Sequence, residues 1–216
     1  PLVKWLLGIT QLTSRWMAKA VYLLGGGGHG RVALDVLLAC GVKVVGVLDP
    51  DLKVGDQVFG VPVLGSDKFL NQVDPSAVLL VNGLGANPHV VHRKKLFESM
   101  KARGFAFDTI RHPSAVIGRE CHMGEGSQVM AGAVFQNRVR IGDNAVINTR
   151  ASVDHDCVIG AHSFISPGVV LSGDVLVGES AFIGAGAVML PGIEIGANVV
   201  IGAGAVVIKS VPDGWI

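Results

Sequence analysis

The stretch IGDNAVINTRASVDHDCVIGAHSFISPGVV, residues 141–170, repeats one pattern every six residues. An aliphatic residue opens each unit, and a small or polar residue follows it. Extended in both directions, the pattern runs without insertion over sixteen apolar positions: Ile117, Met123, Val129, Phe135, Ile141, Ile147, Val153, Ile159, Ile165, Leu171, Val177, Ile183, Met189, Ile195, Ile201 and Val207. A fixed period of six residues is typical of a parallel β-helix, whereas helices and alternating strands have other spacings. The sequence therefore predicts a β-helix over residues 111–216.

The composition fits such a fold and excludes several classes of protein. Glycine accounts for 30 of 216 residues, half of the chain is apolar, and only 6% is aromatic. This much apolar surface excludes disorder, and the glycine spacing excludes collagen. A formal net charge of +1 without a basic block argues against nucleic acid as the main partner.

Residues 18–110 follow a different pattern, in which buried strands alternate with helices. The apolar runs predict strands over residues 21–24, 44–48 and 77–81. Helical spacing is found over residues 31–40 and 90–103, and a glycine follows each helix. Because strands that alternate with helices form parallel sheets, we predict a small Rossmann-like α/β domain.

Cysteine usage and hydropathy indicate where the protein works. Cys40, Cys121 and Cys157 form no CxxC motif, and we interpret them as reduced thiols of a cytoplasmic protein. No apolar run approaches the roughly 18 residues that span a membrane, so we predict no transmembrane segment. Residues 1–17 are interpreted as an N-terminal extension or an appended segment.

The glycine run at residues 25–30 matches GxGxxG between a predicted strand and a predicted helix. Glycines in this position let backbone amides approach a phosphate at the start of the helix. Asp49 ends the next strand, where a carboxylate accepts hydrogen bonds from a ribose or a base. The pattern favours a nucleotide ligand, and a tight turn without any ligand remains the alternative.

One histidine has a setting that indicates chemistry. His155 and Asp156 are the third and fourth residues of their hexapeptide and are predicted to point outward at a corner. Since one coil of the β-helix contains eighteen residues, Gly173 should stack next to His155 on one side and Asn137 on the other. A neighbouring carboxylate orients an imidazole and raises its basicity. The alternative is an ordinary solvated surface histidine.

These motifs together resemble one family. Over residues 19–216 the chain is similar to the sialic acid O-acetyltransferases and UDP-bacillosamine N-acetyltransferases, nucleotide-sugar acetyltransferases with hexapeptide repeats. The resemblance is carried by the glycine turn at 25–30, by HDCVIG at 155–160 and by ISPG at 165–168. It implies a left-handed β-helix, a homotrimer with active sites between subunits, acetyl-CoA as co-substrate and no metal.

The resemblance also implies roles for individual residues. In such enzymes the histidine of the His-Asp pair is the general base, which assigns catalysis to His155 and Asp156. Contacts to acetyl-CoA fall on Gly173 and on Phe164, at whose position many relatives have a second histidine. Contacts to the sugar nucleotide fall on six positions: Gly27, Gly28, His29, Asp49, Pro50 and Gly85.

The reaction implied is N-acetylation of a nucleotide-linked amino sugar, a UDP-4-amino-4,6-dideoxy sugar, for bacterial surface glycan synthesis. Three alternatives remain open from the sequence: O-acetylation of a sialic acid or related sugar, a metalloenzyme like the γ-carbonic anhydrases, and a non-catalytic scaffold. Relatives typically carry a Gly-x-Pro-Ala ending that helps to hold coenzyme A, and residues 213–216 do not match it.

Overall fold

The computed structural model describes residues 19–88 and 91–216, so the predicted N-terminal extension, residues 1–17, lies outside the described residues. The first half consists of a sheet with two α-helices and two short 3₁₀ helices, Asp67–Gln72 and Pro75–Ala77. Its other elements are β1 (Ala20–Leu24), α1 (Gly28–Ala39), β2 (Val44–Leu48), β3 (Gln57–Val58), β4 (Val61–Gly65), β5 (Val78–Asn82) and α2 (His92–Ala102).

The sheet has the strand order β3-β4-β2-β1-β5, and every pair except β3–β4 is parallel. The predicted Rossmann-like sheet is thereby confirmed. The β3–β4 hairpin was not predicted, because β3 is only two residues long and has no periodic pattern. Since β1 lies between β2 and β5, the chain changes direction across the sheet after β1. Ligands of open parallel sheets bind at this kind of switch point.

Helix α1 begins at Gly28, three residues before its predicted start, because the glycine run belongs to the first helical turn. The turn packs so closely on the end of β1 that a β-carbon at Gly30 would lie 2.1 Å from the carbonyl oxygen of Gly25. The close approach therefore requires glycine at residue 30.

The second half is the predicted parallel β-helix, built from two-residue strands that stack in three ladders. Ladder one contains β7 (Val116–Ile117), β10 (Val134–Phe135), β13 (Ser152–Val153), β16 (Val170–Leu171), β19 (Val188–Met189) and β22 (Val206–Val207). Ladder two contains β8 (His122–Met123), β11 (Arg140–Ile141), β14 (Val158–Ile159), β17 (Leu176–Val177) and β20 (Glu194–Ile195). Ladder three contains β6 (Ile110–Arg111), β9 (Gln128–Val129), β12 (Val146–Ile147), β15 (Phe164–Ile165), β18 (Phe182–Ile183) and β21 (Val200–Ile201).

The sixteen predicted inward positions form the core of this β-helix. Each is the second residue of a two-residue strand, and all of them belong to one apolar cluster. Thirteen are buried, while Ile117, Met123 and Val207 at the two ends are partly buried. The boundary predicted between residues 110 and 111 falls inside β6.

The α/β half packs on the outer surface of ladder three. Met130, Val146 and Phe164 on that surface share an apolar cluster with residues of the sheet and of α1. This contact sets the carboxyl ends of β1 and β5 against the β-helix. Within the described part of the chain, no helix combines the length and hydropathy that crossing a bilayer requires.

Candidate active site

The corner between β13 and β14 presents His155 and Asp156 to the outside of the β-helix. Asp156 has a φ of 62°, the left-handed conformation that turns the chain from one ladder to the next. The carboxylate of Asp154 accepts a 2.8 Å hydrogen bond from the His155 amide, which stabilises the turn. The predicted outward position of both side chains is confirmed, and the His155 side chain is 49% exposed.

The carboxylate of Asp156 bridges two side chains. Its Oδ2 lies 2.9 Å from Nδ1 of His155, and its Oδ1 lies 3.1 Å from Nε of Arg138, one coil below. Because an ionised carboxylate only accepts hydrogen bonds, Nδ1 of His155 donates, and the neutral ring keeps its lone pair on Nε2. The arrangement is that of a base and its orienting group. Sequence analysis missed Arg138, although its position eighteen residues before Asp156 identifies it as a stacked neighbour.

Neighbouring carboxylates make His155 more basic. The hydrogen bond from Asp156 raises the pKa of His155 above its usual value, and the charges of Asp154, Asp156 and Asp174 act in the same direction. Partial desolvation opposes them. The imidazole thus combines exposure with raised basicity, as a proton acceptor in an open site requires.

Gly173 stacks on this imidazole, as the eighteen-residue coil predicts. A β-carbon at residue 173 would lie 2.6 Å from both Cε1 and Nε2 of His155. The glycine therefore keeps open the space beside the basic nitrogen, which any side chain would occupy. An acyl group that approaches Nε2 from this direction would also meet the backbone of Gly173.

Cys157 directly follows the dyad but is not an activated nucleophile. Its side chain is buried, and its thiol donates a hydrogen bond to the Ser172 carbonyl at 3.1 Å. Burial raises the pKa of Cys157 to about 11. Because the thiolate is the nucleophilic form, this cysteine is inert near neutral pH.

Three side chains at this corner have the composition of a metal-ligand set. His155, Asp156 and Asp174 each offer one ligand atom within 4.8 Å of the others. The Nδ1 atom of His155 is already bonded to Asp156, and His155 and Asp174 are exposed. The absence of a metal requirement stays a prediction.

The glycine turn after β1 forms a second group of predicted site residues. Gly27 and Gly28 face open space at the start of α1 and are exposed. The carboxylate of Asp49 accepts hydrogen bonds from the amides of Gly26, at 2.7 Å, and Asp51, at 2.8 Å. Asp49 therefore stabilises the turn itself, beside the exposed Pro50. Open amides at a helix N-terminus are suited to an anionic group such as a phosphate.

His29, in the first turn of α1, connects the glycine turn to the β-helix. Its Nε2 lies 2.8 Å from Oε1 of Gln128, and its ring centroid lies 5.7 Å from that of Phe164. A β-carbon at Gly85 would lie 3.2 Å from Cβ of His29. Burial, reinforced by the charge of Arg93, lowers the pKa of His29 to about 4, against the opposing effect of the Gln128 hydrogen bond. His29 is thus neutral at physiological pH.

Phe164 lies on the outer surface of ladder three, where it is 7% exposed. Its ring stacks on that of Phe182, with centroids 5.7 Å apart and an interplanar angle of 6°. The other side of the ring meets His29. A cavity of about 480 Å³ next to these rings is also lined by His162 and Arg93.

A single chain therefore divides the predicted residues into two groups. The glycine turn, His29, Gly85 and Phe164 lie where the α/β half meets ladder three. His155, Asp156 and Gly173 lie at the corner between ladders one and two. Sequence analysis missed the buried Asn82, Gln128 and Asn144 at the first location, because nothing in the repeat shows which outer surface another domain covers.

Comparisons with known proteins agree with this architecture. Residues 20–100 match the PglD N-terminal domain, and residues 138–173 and 174–209 match the bacterial transferase hexapeptide repeats. No match was found among curated proteins.

Three solved structures are similar over nearly the whole chain. The acetyltransferase domain of PglB from Neisseria gonorrhoeae FA1090 is 36% identical with a TM-score of 0.84, covering 91% of this chain and 94% of that one. Its complex with acetyl coenzyme A has 37% identity, the same coverage and the same TM-score. PerB from Caulobacter crescentus, in complex with CoA and GDP-perosamine, is 40% identical with a TM-score of 0.82, covering 90% and 91% of the two chains.

These similarities extend over both halves of the molecule, in the order in which the sequence places them. Neither the α/β domain nor the hexapeptide repeat alone would identify the chain to this level, since each is found in many proteins. Together with the match to the PglD N-terminal domain, they show that the chain belongs to the PglD-like family of acetyl-CoA-dependent nucleotide-sugar acetyltransferases.

Proposed function

We propose that this enzyme acetylates the amine of a nucleotide-linked 4-amino sugar, with His155 as the general base. The observation that supports the proposal best is the His155 imidazole itself. Asp156 holds its Nδ1, and its Nε2 faces the space that Gly173 leaves open. Family membership answers the two alternatives outside acyl transfer, a carbonic-anhydrase-like metalloenzyme and a non-catalytic scaffold.

In the proposed reaction, the sugar amine attacks the thioester carbon of acetyl-CoA directly. The new C–N bond forms as Nε2 of His155 accepts the amine proton. The C–S bond then breaks, and the proton passes from His155 to the departing sulfur. A base in this role typically contributes 10²–10⁴-fold to the rate. The inert Cys157 fits a mechanism without an acyl-enzyme.

Asp156 and Gly173 assist the proposed base in different ways. Asp156 keeps the proton on Nδ1 and stabilises the imidazolium that forms on Nε2. The amide of Gly173 lies beside the reacting atoms and is suited to the charge that develops on the carbonyl oxygen. Phe164 contributes an apolar surface to the coenzyme site in this proposal.

The sugar nucleotide would bind at the glycine turn. Amides of Gly27 and Gly28 at the start of α1 suit its phosphates, and Asp49, Pro50 and Gly85 border the same crevice. The complex of PerB with GDP-perosamine supports an amino-sugar nucleotide as the substrate class. The finer proposal is a UDP-4-amino-4,6-dideoxy sugar, used in the cytoplasm for bacterial surface glycan synthesis.

We further propose that the active enzyme is a homotrimer. In one chain the proposed base and the nucleotide turn lie on different sides of the β-helix. A second copy that packs beside the first would bring its His155 corner towards the glycine turn of its neighbour. The site is thus completed between subunits.

The test is release of free thiol from acetyl-CoA with a panel of acceptors. UDP-, GDP- and dTDP-linked 4-amino sugars are compared with free sialic acid, and the products are analysed by mass spectrometry. We expect thiol release only with amino-sugar nucleotides, fastest with UDP, and base-stable amide products. Turnover of sialic acid to a base-labile ester would instead establish O-acetylation.

The same assay tests the base. His155→Ala should reduce turnover at least about 100-fold because it removes the proton acceptor, while Tm stays unchanged for this exposed side chain. His122→Ala, which removes another exposed imidazole of the β-helix, is the matched control and should retain full activity. Near-normal turnover by the His155 variant would reject the assignment.

A further inference from the structure

A chain of buried polar side chains crosses the contact between the α/β half and the β-helix. It links the two histidines His29 and His162 through the amides of Gln128, Asn82 and Asn144. These three amides are at most 1% exposed. Because buried polar groups are costly unless they are paired, their orientations are strongly determined.

The first part of the chain determines the proton position on His29. Nε2 of Gln128 donates to the Asn82 carbonyl at 2.7 Å, and a carbonyl can only accept. Oε1 of Gln128 must therefore face Nε2 of His29, 2.8 Å away. Since Oε1 also only accepts, Nε2 of His29 carries the proton. The lowered pKa of His29 keeps the ring neutral and leaves Nδ1 as an acceptor.

The second part determines the proton position on His162. Nδ2 of Asn82 donates to Oδ1 of Asn144 at 3.1 Å, while Oδ1 of Asn82 accepts from the Leu84 amide. Nδ2 of Asn144 is therefore the atom 3.0 Å from Nδ1 of His162. Because that nitrogen donates, Nδ1 of His162 accepts and the neutral ring carries its proton on Nε2. Burial, followed by the charge of Lys94, lowers the pKa of His162 and favours this neutral form.

Arg93 holds the backbone around this chain in place. Its Nη1 donates to the carbonyls of Asn82, at 2.9 Å, and Leu84, at 2.7 Å. Its Nε donates to the carbonyl of Asn144 at 3.3 Å. The guanidinium thus joins the segment after β5 to the β-helix, so the amides of both halves keep their register.

We infer that Gln128, Asn82 and Asn144 are positioning residues that hold His29 and His162 as neutral imidazoles with the proton on Nε2. His29 is left with an acceptor at Nδ1. His162 is left with a donor at Nε2–H and lines the cavity of about 480 Å³ beside Phe164 and Phe182. The assignment of these two groups to the nucleotide sugar rests on the proposed function. The acceptor suits a hydroxyl or ammonium of the sugar, and the donor suits an oxygen.

The tautomers can be read without turnover. The full chain is labelled with ¹⁵N-histidine, and long-range ¹H–¹⁵N correlations are recorded at pH 7. Spectra of His29→Gln and His162→Gln assign the two rings by loss of signal. We expect both rings to show a protonated Nε2 and an unprotonated Nδ1. A protonated Nδ1, or rapidly averaged shifts, on either ring would overturn the inference.

Gln128→Ala tests the positioning role. Without the amide, His29 should show averaged tautomers, and the KM for the nucleotide sugar should rise roughly five-fold with an unchanged KM for acetyl-CoA. Ser127→Ala is the matched control, because it removes a neighbouring buried hydrogen bond to Gly124 and should change neither quantity. An unaltered His29 spectrum in Gln128→Ala would overturn the role of Gln128. These spectra stand even if His155 is not the base, so the two proposals fail separately.

Discussion

The imidazole of His155 is held from one side only. Asp156 binds Nδ1 and is itself held by Arg138, whereas Nε2 faces the gap at Gly173. This asymmetry separates the nitrogen that is oriented from the nitrogen that accepts a proton. Two predictions at the scale of single residues follow from it, one for each side of the ring.

Asp156→Asn should move the pH dependence of kcat/KM to lower pH. The hydrogen bond from the Asp156 carboxylate is the main cause of the raised pKa of His155, and a carboxamide carries no charge. The base works only when unprotonated, so activity rises with pH through its pKa, and a lower pKa shifts that rise downward. Rates measured across the acid range give the half-maximal pH. Asp174→Asn, which removes a more weakly acting charge, should cause a smaller shift in the same direction, and an unmoved profile in Asp156→Asn would contradict this account.

Gly173→Ala should abolish most of the activity without unfolding the protein. Its β-carbon would lie 2.6 Å from Nε2 of His155, so the exposed ring must move away. We expect a loss of turnover about as large as that of His155→Ala, roughly 100-fold, since the base is displaced. Gly202→Ala is the control, because a β-carbon there meets no atom within 4 Å. Equal activity of both variants would show that the space beside Nε2 is not needed.

At the scale of elements, the β-helix depends on one inward side chain per short strand. A two-residue strand has few hydrogen bonds of its own, and its stability comes from stacking on the coils above and below. Phe135 is the largest of the inward residues and is 1% exposed. It pairs with β7 and β13, so it packs between Ile117 and Val153.

Phe135→Ala should lower the free energy of unfolding by about 3–5 kcal/mol, because the thin core cannot close the cavity. Phe135→Leu, which keeps most of the volume, should cost less than about 1.5 kcal/mol. Denaturant unfolding at one fixed protein concentration measures both variants. A loss below about 1 kcal/mol for the alanine variant would mean that the coils collapse around the cavity.

At the scale of the whole molecule, the two groups of site residues are separated within one chain. The proposed trimer predicts that two inactive variants restore activity when mixed. His155→Ala lacks the base, and Gly28→Asp sets a carboxylate where we propose that phosphate binds. In randomly mixed trimers, about a quarter of the intersubunit sites contain an intact base and an intact turn. We therefore expect about a quarter of the wild-type activity after co-refolding in equal amounts.

Two controls accompany the mixing experiment. Each variant refolded alone should stay inactive, and light scattering should give the mass of three chains for all samples. Mixed samples as inactive as the single variants would place the base and the nucleotide turn of each site in one chain. That outcome would contradict a site shared between subunits.

The sequence by itself determined the β-helix, since sixteen apolar residues on a period of six allow no other regular fold. It also predicted the partner of His155 and the glycine stacked on it, because a coil of constant length turns residue numbers into positions. Only the tertiary structure decided which outer surface of the β-helix is covered. Gln128, Asn144 and Phe164 are buried because the α/β half packs on ladder three, and their own repeat units resemble the exposed ones. A local period records which side chains point inward, whereas contact between domains depends on shape across distant residues.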